Sequence, residues 1–255
     1  MPTQNGIYYR ENGEGGDKSR VLVWLHGAGG ASEQWPYHLR RIAGWRVLAL
    51  DLPGHGRSEG RAHRTVAAYA DGLSAWLAEA GIERVVVGGH SMGAAIGLQM
   101  ALDYGEQVEA LILLGAGARM PVNLDLLRQL AIPAHVDGSI QQIGQWSFGR
   151  GAGLDKKTSL VRLLKANPAG VLLADFQACA KFDVVERLDE IRQPALVASG
   201  DQDLMMPAYQ GRRLAEGLAR GRHALVEGAG HMMMQEAPRA VLKHVAGFLG
   251  GLEVG

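Results

Sequence analysis

Gly89-His90-Ser91-Met92-Gly93 sets a serine between two glycines, one two residues before it and one two residues after. Small residues at those places let a chain turn sharply from a strand into a helix without side-chain collision. Such a turn lifts the serine hydroxyl above the carboxyl edge of a sheet. It also leaves the next N–H, that of Met92, at a helix N-terminus, where it stabilises negative charge. A hydroxyl is a poor nucleophile until a base removes its proton, and the base needs a carboxylate to orient it. Glu227-Gly228-Ala229-Gly230-His231 supplies a histidine directly after the apolar stretch His223–Val226. Gly200-Asp201-Gln202-Asp203 follows another apolar stretch, Ala195–Ala198, and offers two carboxylates. Asp203, followed by Pro207, is the preferred acid. Asp201 is the alternative, and a turn hydrogen bond is its ordinary role. The chain order Ser91, Asp203, His231 is the one expected for this kind of elbow. A second donor to an oxyanion is expected from His26-Gly27-Ala28-Gly29-Gly30, whose glycines allow N–H groups to turn inward. The backbone N–H of Ala28 is that candidate.

The serine pattern alone is weak in a chain where 36 of 255 residues are glycine. It occurs a second time, as Gly56-Arg57-Ser58-Glu59-Gly60. Ser58 follows the loop Asp51-Leu52-Pro53-Gly54-His55, and no helix starts at once, so Ser58 reads as a decoy. His26 and His90 lie beside backbone that must be placed tightly, and they read as supports. His55 reads as structural, and His38, His63, His135, His223 and His244 as surface or packing residues. A dinucleotide-binding reading of Gly27 to Gly30, with Asp51 ending the next strand, lacks its third glycine because Ser32 stands there. It also leaves Ser91, Asp203 and His231 unexplained.

These residues need a scaffold, and the first half of the chain supplies its rhythm. Val21–Leu25, Val47–Leu50, Val85–Val87 and Leu111–Leu114 are short continuous apolar runs, which suit strands buried on both faces. Between them Thr65–Glu79 and Ala94–Tyr104 carry apolar residues at helical spacing. Alternating strand and helix predicts an α/β class with a mostly parallel sheet and right-handed crossovers. From about Arg119 to Gln193 no strand is predicted. Leu124–Ala131, Ser139–Phe148, Ser159–Lys165 and Ala169–Phe182 read as helices separated by proline and glycine. The α/β rhythm returns with Ala195–Ala198, Tyr209–Leu218, His223–Val226 and Val241–Leu249. The expected organisation is a core of residues 1–118 and 194–255, interrupted by a helical insertion of residues 119–193.

Composition narrows the function further. Lys and Arg total 26 and so do Asp and Glu, so the formal net charge is zero. That argues against a nucleic-acid binder or a polybasic membrane binder. Cys179 is the only cysteine, which rules out an internal disulfide and a thiolate metal cluster. Met1–Gly16 is polar and lacks the apolar segment of a signal peptide, and no apolar run is long enough to span a bilayer. A soluble cytoplasmic protein without metal or cofactor is expected, as a monomer or homodimer acting on a small molecule.

Taken together, His26 to Gly30, Asp51 to Ser58, Gly89 to Gly93 and the pair Gly200–Asp203 with Gly230-His231 resemble the α/β-hydrolase superfamily over essentially the whole chain. Glu236-Ala237-Pro238 after the histidine is similar to that family too. The resemblance implies an α/β-hydrolase fold with a helical cap between the sixth and seventh strands. It also implies acylation of Ser91 and hydrolysis by water with His231 as base. Relatives with an aspartate nucleophile are set aside by Ser91. Meta-cleavage-product hydrolases typically carry Asn before the serine and Trp after the histidine, where this chain has His90 and Met232. Perhydrolase-like members usually have a bulky residue at Ala28. The remaining likeness is to serine carboxylesterases and lipase-like enzymes. A pocket for a small-to-medium apolar acyl group is expected from Met120, Trp146, Phe148, Phe176, Met205 and Met232, because flexible methionines suit varied apolar groups. The alternatives are a C–C bond hydrolase or lactonase with the same triad, and a hydrolase-like ligand receptor that turns over slowly.

Overall fold

The computed structural model describes residues 3–12 and 20–252, so the polar stretch Met1–Gly16 lies partly outside the described residues. Eight strands form one sheet: β1 (Thr3–Gln4), β2 (Ile7–Asn12), β3 (Val21–Leu25), β4 (Arg46–Leu50), β5 (Val85–His90), β6 (Val108–Leu114), β7 (Ala195–Gly200) and β8 (Gly221–Val226). Their order across the sheet is β1-β2-β4-β3-β5-β6-β7-β8. β1 pairs antiparallel with β2, and β2 with β4; every other neighbouring pair is parallel. The helices are α1 (Tyr37–Arg40), α2 (Val66–Glu79), α3 (Met92–Asp103), α4 (Leu124–Leu130), α5 (Val136–Trp146), α6 (Leu154–Lys165), α7 (Val171–Lys181), α8 (Ala208–Gly217), α9 (Met233–Glu236) and α10 (Pro238–Gly250). This is the mostly parallel, helix-flanked sheet of an α/β-hydrolase fold.

The apolar runs form the central strands because both faces of the sheet are covered. Val21, Val23 and Leu25 of β3 join one core with Val85, Val87, Leu111 and Leu113, beneath α2 and α3. Leu22 and Trp24 point the other way, into a second core with Val86, Ile112, Leu114 and α10. Side chains alternate between the two faces along each strand. β1 and β2 were not predicted. They lie at the sheet edge, where Arg10, Glu11 and Asn12 interrupt the apolar signal. β8, the opposite edge, alternates exposed and buried residues and begins two residues before the predicted His223.

β5 runs three residues past the predicted Val87, through Gly88 and Gly89 to His90. These glycines are close-approach residues within the strand. A Cβ on Gly88 would overlap the Trp24 ring, and one on Gly89 would overlap the backbone of Gly93. β6 starts at Val108, ahead of the predicted Leu111, with Glu109 breaking the apolar run.

Between β6 and β7 lie α4 to α7 and no named strand. Arg119 and Asp183 form an isolated antiparallel bridge that brings the two ends of this segment together. α5 and α6 begin earlier than predicted, at Val136 and Leu154, since their first turns are polar and carry Asp137 and Asp155 at the dipole's positive end. Leu126, Ile140, Ile143, Leu160, Leu164 and Phe176 turn inward and join the second core. Among the described residues no helix is long and apolar enough to cross a membrane.

Ile112 is fully buried at the centre of β6. Ile112→Ala should cost about 2–5 kcal/mol through lost burial and the cavity left behind. In urea unfolding this reads as a lower midpoint at unchanged slope.

Candidate active site

Ser91 is the residue between β5 and α3, with φ 53° and ψ −115°. Apart from Asn5, it is the one described non-glycine residue with positive φ. L-residues avoid this region, so neighbouring structure must impose it. The Ser91 N–H donates to the Leu114 carbonyl at 2.9 Å, tying the turn to β6. Gly93 lies so close to β3 that a Cβ there would overlap the Leu25 carbonyl. The serine is therefore held outward by a strand below it and a helix pressed against that strand. Met92 buries its side chain fully and places its N–H in the first turn of α3.

His231 follows β8 on the same edge of the sheet. Its Nδ1 lies 2.7 Å from Asp203 Oδ2. The acid orients the ring and draws the proton to Nδ1, which leaves the Nε2 lone pair available. Nε2 is buried and has no hydrogen-bond partner among the described residues. Asp203 Oδ1 accepts the N–H groups of Met205 and Met206, each at 2.8 Å. Its partners thus fill both carboxylate oxygens. Asp201, the alternative acid, is exposed and meets β8 only through its backbone N–H.

The loop after β3 is fixed by a buried histidine. His26 Nδ1 donates to the Gly27 carbonyl at 2.8 Å, and its Nε2 accepts the Leu52 N–H at 3.0 Å. The Gly27 carbonyl also takes the Gly30 N–H at 2.9 Å. A trans peptide then points the Ala28 N–H the opposite way. Ala28, Ser91 and His231 line one cavity of about 300 Å³. Met92 does not line it; its N–H lies in the helix turn directly after Ser91. A hydroxyl and an imidazole on one space, with backbone N–H groups beside the hydroxyl, can carry out nucleophilic attack on a carbonyl with stabilisation of the resulting oxyanion.

The other predicted positions divide clearly. Met120, Trp146, Phe176, Met205 and Met232 line the cavity. Phe148 does not; its side chain is buried in the second core, and its backbone abuts Gly230. Two arginines of the segment 119–193, Arg119 and Arg150, are exposed and do not line the cavity. Among the described hydrogen bonds the Ser58 hydroxyl meets no histidine ring: it donates to the Asp51 carbonyl at 2.6 Å and accepts the Tyr8 N–H at 2.9 Å. Asp51 in turn accepts the N–H groups of Ser32 and Arg57, so that motif holds two loops together.

His90 supports the base: its Nε2 donates to the His231 carbonyl at 3.0 Å. Burial, with His231 close by, holds His90 well below the usual imidazole range. Burial and the neighbouring His55 hold His26 down at about 3. Both rings are thus neutral: His26 must accept the Leu52 N–H, and burial keeps the proton off the second nitrogen of His90. Glu236 was noted only as part of a motif. Its carboxylate accepts the Gly149 N–H at 2.8 Å and the Gly230 N–H at 2.9 Å, which ties the residue before His231 to the end of α5. Burial pushes its carboxyl up despite these two bonds. Asp175, Asn167 and Gln34 carried no sequence signal beyond being polar residues near apolar ones, and all three reach the cavity or its loops.

The α/β-hydrolase family model matches residues 22–244. The chain belongs to the α/β-hydrolase family. This α/β hydrolase is 28 % identical to RutD of Caulobacter sp. (strain K31), named a carbamate hydrolase, over 98 % of this chain and 97 % of that protein. It is 27 % identical to the 2-hydroxy-6-oxononadienedioate/2-hydroxy-6-oxononatrienedioate hydrolase of Paraburkholderia phymatum, over 97 % of this chain and 92 % of that one. Its fold is similar to that of a thermophilic esterase from Thermogutta terrifontis, with TM-score 0.86 at 20 % identity, covering 96 % and 93 % of the two chains. Hydrolases of several bond types thus share this fold and sequence pattern, and the choice among them rests on the site.

The neutral histidines make stability pH-dependent in one direction. Below about 6.5, the ordinary imidazole value, the unfolded chain takes up protons that native His26 and His90 refuse. Stability should therefore fall as pH drops from about 6.5 towards 5, each ring adding a slope approaching about 1.4 kcal/mol per pH unit. His55, whose pKa is raised, opposes this fall while its unfolded form titrates around 6.5, and it cancels only towards pH 5, where it is protonated in both states. Urea unfolding at pH 7, 6 and 5 checks the sign; a flat or rising stability would refute two buried neutral rings.

Proposed function

We propose that this α/β hydrolase is a serine esterase that cleaves an uncharged carboxylic ester of a small-to-medium apolar acyl group. The observation that carries this reading is the lining of the cavity holding Ser91 and His231. Leu126, Ile143, Trp146, Leu160, Leu164 and Phe176 line it together with Met120, Val122, Met205, Met206 and Met232; Gln34, Asn123 and Ser147 are further, uncharged polar members. No Lys, Arg, Asp or Glu lines it among the described residues. A buried carboxylate on a substrate would need a paired cation or several donors to offset its lost hydration. The dienedioate named for one relative carries two carboxylates, and no Lys or Arg among the described residues lines this cavity to pair with them. An uncharged ester needs no such partner.

On this reading His231 Nε2 takes the Ser91 hydroxyl proton as Oγ attacks the ester carbonyl carbon. The N–H groups of Ala28 and Met92 stabilise the oxyanion. The tetrahedral species collapses, the C–O bond to the alcohol breaks, and His231 returns its proton to the leaving oxygen. Water then attacks the acyl-enzyme with His231 as base, which releases the carboxylic acid and restores Ser91. Residues 119–193 act as a cap that supplies the apolar wall and excludes bulk water.

The test is turnover of p-nitrophenyl esters of increasing acyl length, with adduct mapping after an organophosphonate. Activity should rise with the first few methylenes and fall once the acyl chain outgrows the cavity, and the adduct should sit on Ser91. Ser91→Ala should abolish turnover, and Asp203→Asn should lower kcat on the order of 10³- to 10⁴-fold with the fold intact. Faster cleavage of a dicarboxylate C–C substrate than of any ester would overturn the ester assignment. Full activity in Ser91→Ala would overturn the mechanism.

A further inference from the structure

Asp175 has no exposed surface, although it lies in the middle of α7 between Ala174 and Phe176. Neither the nucleophile, the base nor the acid contacts it. Its two oxygens instead collect three donors from three separate parts of the chain. Oδ2 accepts the Gly29 N–H at 2.7 Å and lies 2.7 Å from His55 Nε2. Oδ1 accepts the Tyr69 hydroxyl at 2.6 Å. The second nitrogen of His55 lies 3.1 Å from the Pro53 carbonyl. Both ring nitrogens face acceptors, so both carry protons and the ring is a cation. Burial alone would lower the His55 pKa, but the hydrogen bond and charge of Asp175 raise it. A buried carboxylate is thus matched by a buried imidazolium and two further donors.

The same residue is gripped a second time. Asn167, in the loop before α7, donates from Nδ2 to the Gly29 carbonyl at 2.7 Å. Both backbone polar groups of Gly29 are therefore taken by side chains of the segment 119–193. Gly29 has φ +65°, and Leu164 and Leu172 from the same segment pack so close that a Cβ would overlap both. Gly29 is the residue after Ala28. One flank of Ala28 is fixed by the core, through His26 and the Gly27 carbonyl. The other flank is held by the Gly30 N–H on the Gly27 carbonyl and, at Gly29 itself, by side chains of α7 and the loop before it.

We propose that Asp175 and Asn167 are positioning residues that hold the Gly29 peptide and so aim the Ala28 N–H at the oxyanion. The proposal rests on the serine-hydrolase reading above and deepens it: the cap supplies half of the oxyanion geometry as well as the apolar wall. The physical reason is preorganisation. A donor that is already aimed stabilises developing charge at no reorganisation cost, and a misplacement of about 1 Å can cost about 10²-fold in rate.

The experiment compares kcat, KM and inhibition by an aryl trifluoromethyl ketone, which adds to a serine to give a tetrahedral oxyanion. Asp175→Ala removes the acceptor of the Gly29 N–H. Its kcat should fall about 10- to 100-fold, its KM should stay nearly unchanged, and its ketone affinity should weaken by the same factor as kcat. Asp175→Asn keeps one carbonyl oxygen for Gly29, while its amide turns to the Tyr69 oxygen, which can accept. It should recover kcat to within about 3-fold of the parent yet lose thermal stability with the His55 pair. Asn167→Ala, at a half-exposed site, should fold normally and lower kcat about 3- to 10-fold with the same split. If Asp175→Ala does not fold, Asn167→Ala decides.

Unchanged kcat and ketone affinity in Asn167→Ala and Asp175→Ala, with only the melting temperature lowered, would overturn the proposal and leave these residues a purely structural role. Failure of the underlying reading looks different. The parent protein would then turn over no ester, or Ser91→Ala would remain active, and the positioning role would fall with it.

Discussion

The strained turn at Ser91 is the constraint on which the site depends. A serine with φ 53° and ψ −115° is stable only where its surroundings leave no other path. Here the path is set by contact between backbones. Gly89 lies against Gly93, and Gly93 lies against the Leu25 carbonyl of β3, with no room for a side chain at either. Three parallel strands, β3, β5 and β6, are locked in register around that point by buried Val, Leu and Ile. The sheet core therefore stores the strain. The β5–Ser91–α3 turn, the loop after β3 and the loop after β8 then meet at the carboxyl edge of one sheet because parallel strands end there together.

The loops on that edge are not self-supporting, and the segment 119–193 holds two of them. The loop bearing Ala28 is held by Asp175 and Asn167 through the Gly29 peptide. The loop bearing His231 is held by Glu236, which bridges Gly230 to Gly149, and by the Met232 N–H bonded to the Ser147 carbonyl at 2.9 Å. On each loop one grip is a carboxylate accepting backbone N–H, a charge-assisted bond roughly twice as strong as a neutral one. A wall that only lined the cavity would need apolar contacts alone. These anchors link the wall's position to that of the catalytic groups, so movement of one is transmitted to the other.

Much of this was legible in the sequence because strong local physics marked it. Continuous apolar runs located β3 to β7, and the elbow glycines, Asp203 and His231 stood directly after strands. The choice between Ser91 and Ser58 also followed from context, since only one is preceded by a strand and followed by a helix. β1 and β2 were missed because a two-residue strand carries no pattern and because Arg10, Glu11 and Asn12 cut short the apolar start Ile7-Tyr8-Tyr9 of the other. Gly88 and Gly89 were taken for the end of β5, since a glycine placed for close packing against Trp24 looks in sequence like one placed for a turn. Phe148 was assigned to the pocket on its side-chain type alone, which says nothing of the direction it faces. Asp175 was invisible for a deeper reason. Its partners His55, Tyr69 and Gly29 lie more than a hundred residues away, and a lone acid in an apolar helix gives no hint of what satisfies it.

Burial explains why so many titratable groups near the cavity carry no net charge into it. His26 and His90 are neutral, and the one buried cation among these histidines, His55, is cancelled by Asp175 at 2.7 Å. The Asp203 carboxylate is covered by His231 and two backbone N–H groups. Around a dry apolar chamber any uncompensated charge would be costly and would pull water in. Chemistry that creates a transient oxyanion gains from the reverse arrangement, in which the environment is neutral at rest and fixed dipoles point at the place where charge will form. In such a low-dielectric space two aimed N–H groups stabilise far more than they would in water. On the proposed esterase reading, the apolar lining and the paired buried charges serve one end: they let the Ala28 and Met92 N–H groups act on an uncharged substrate without competition.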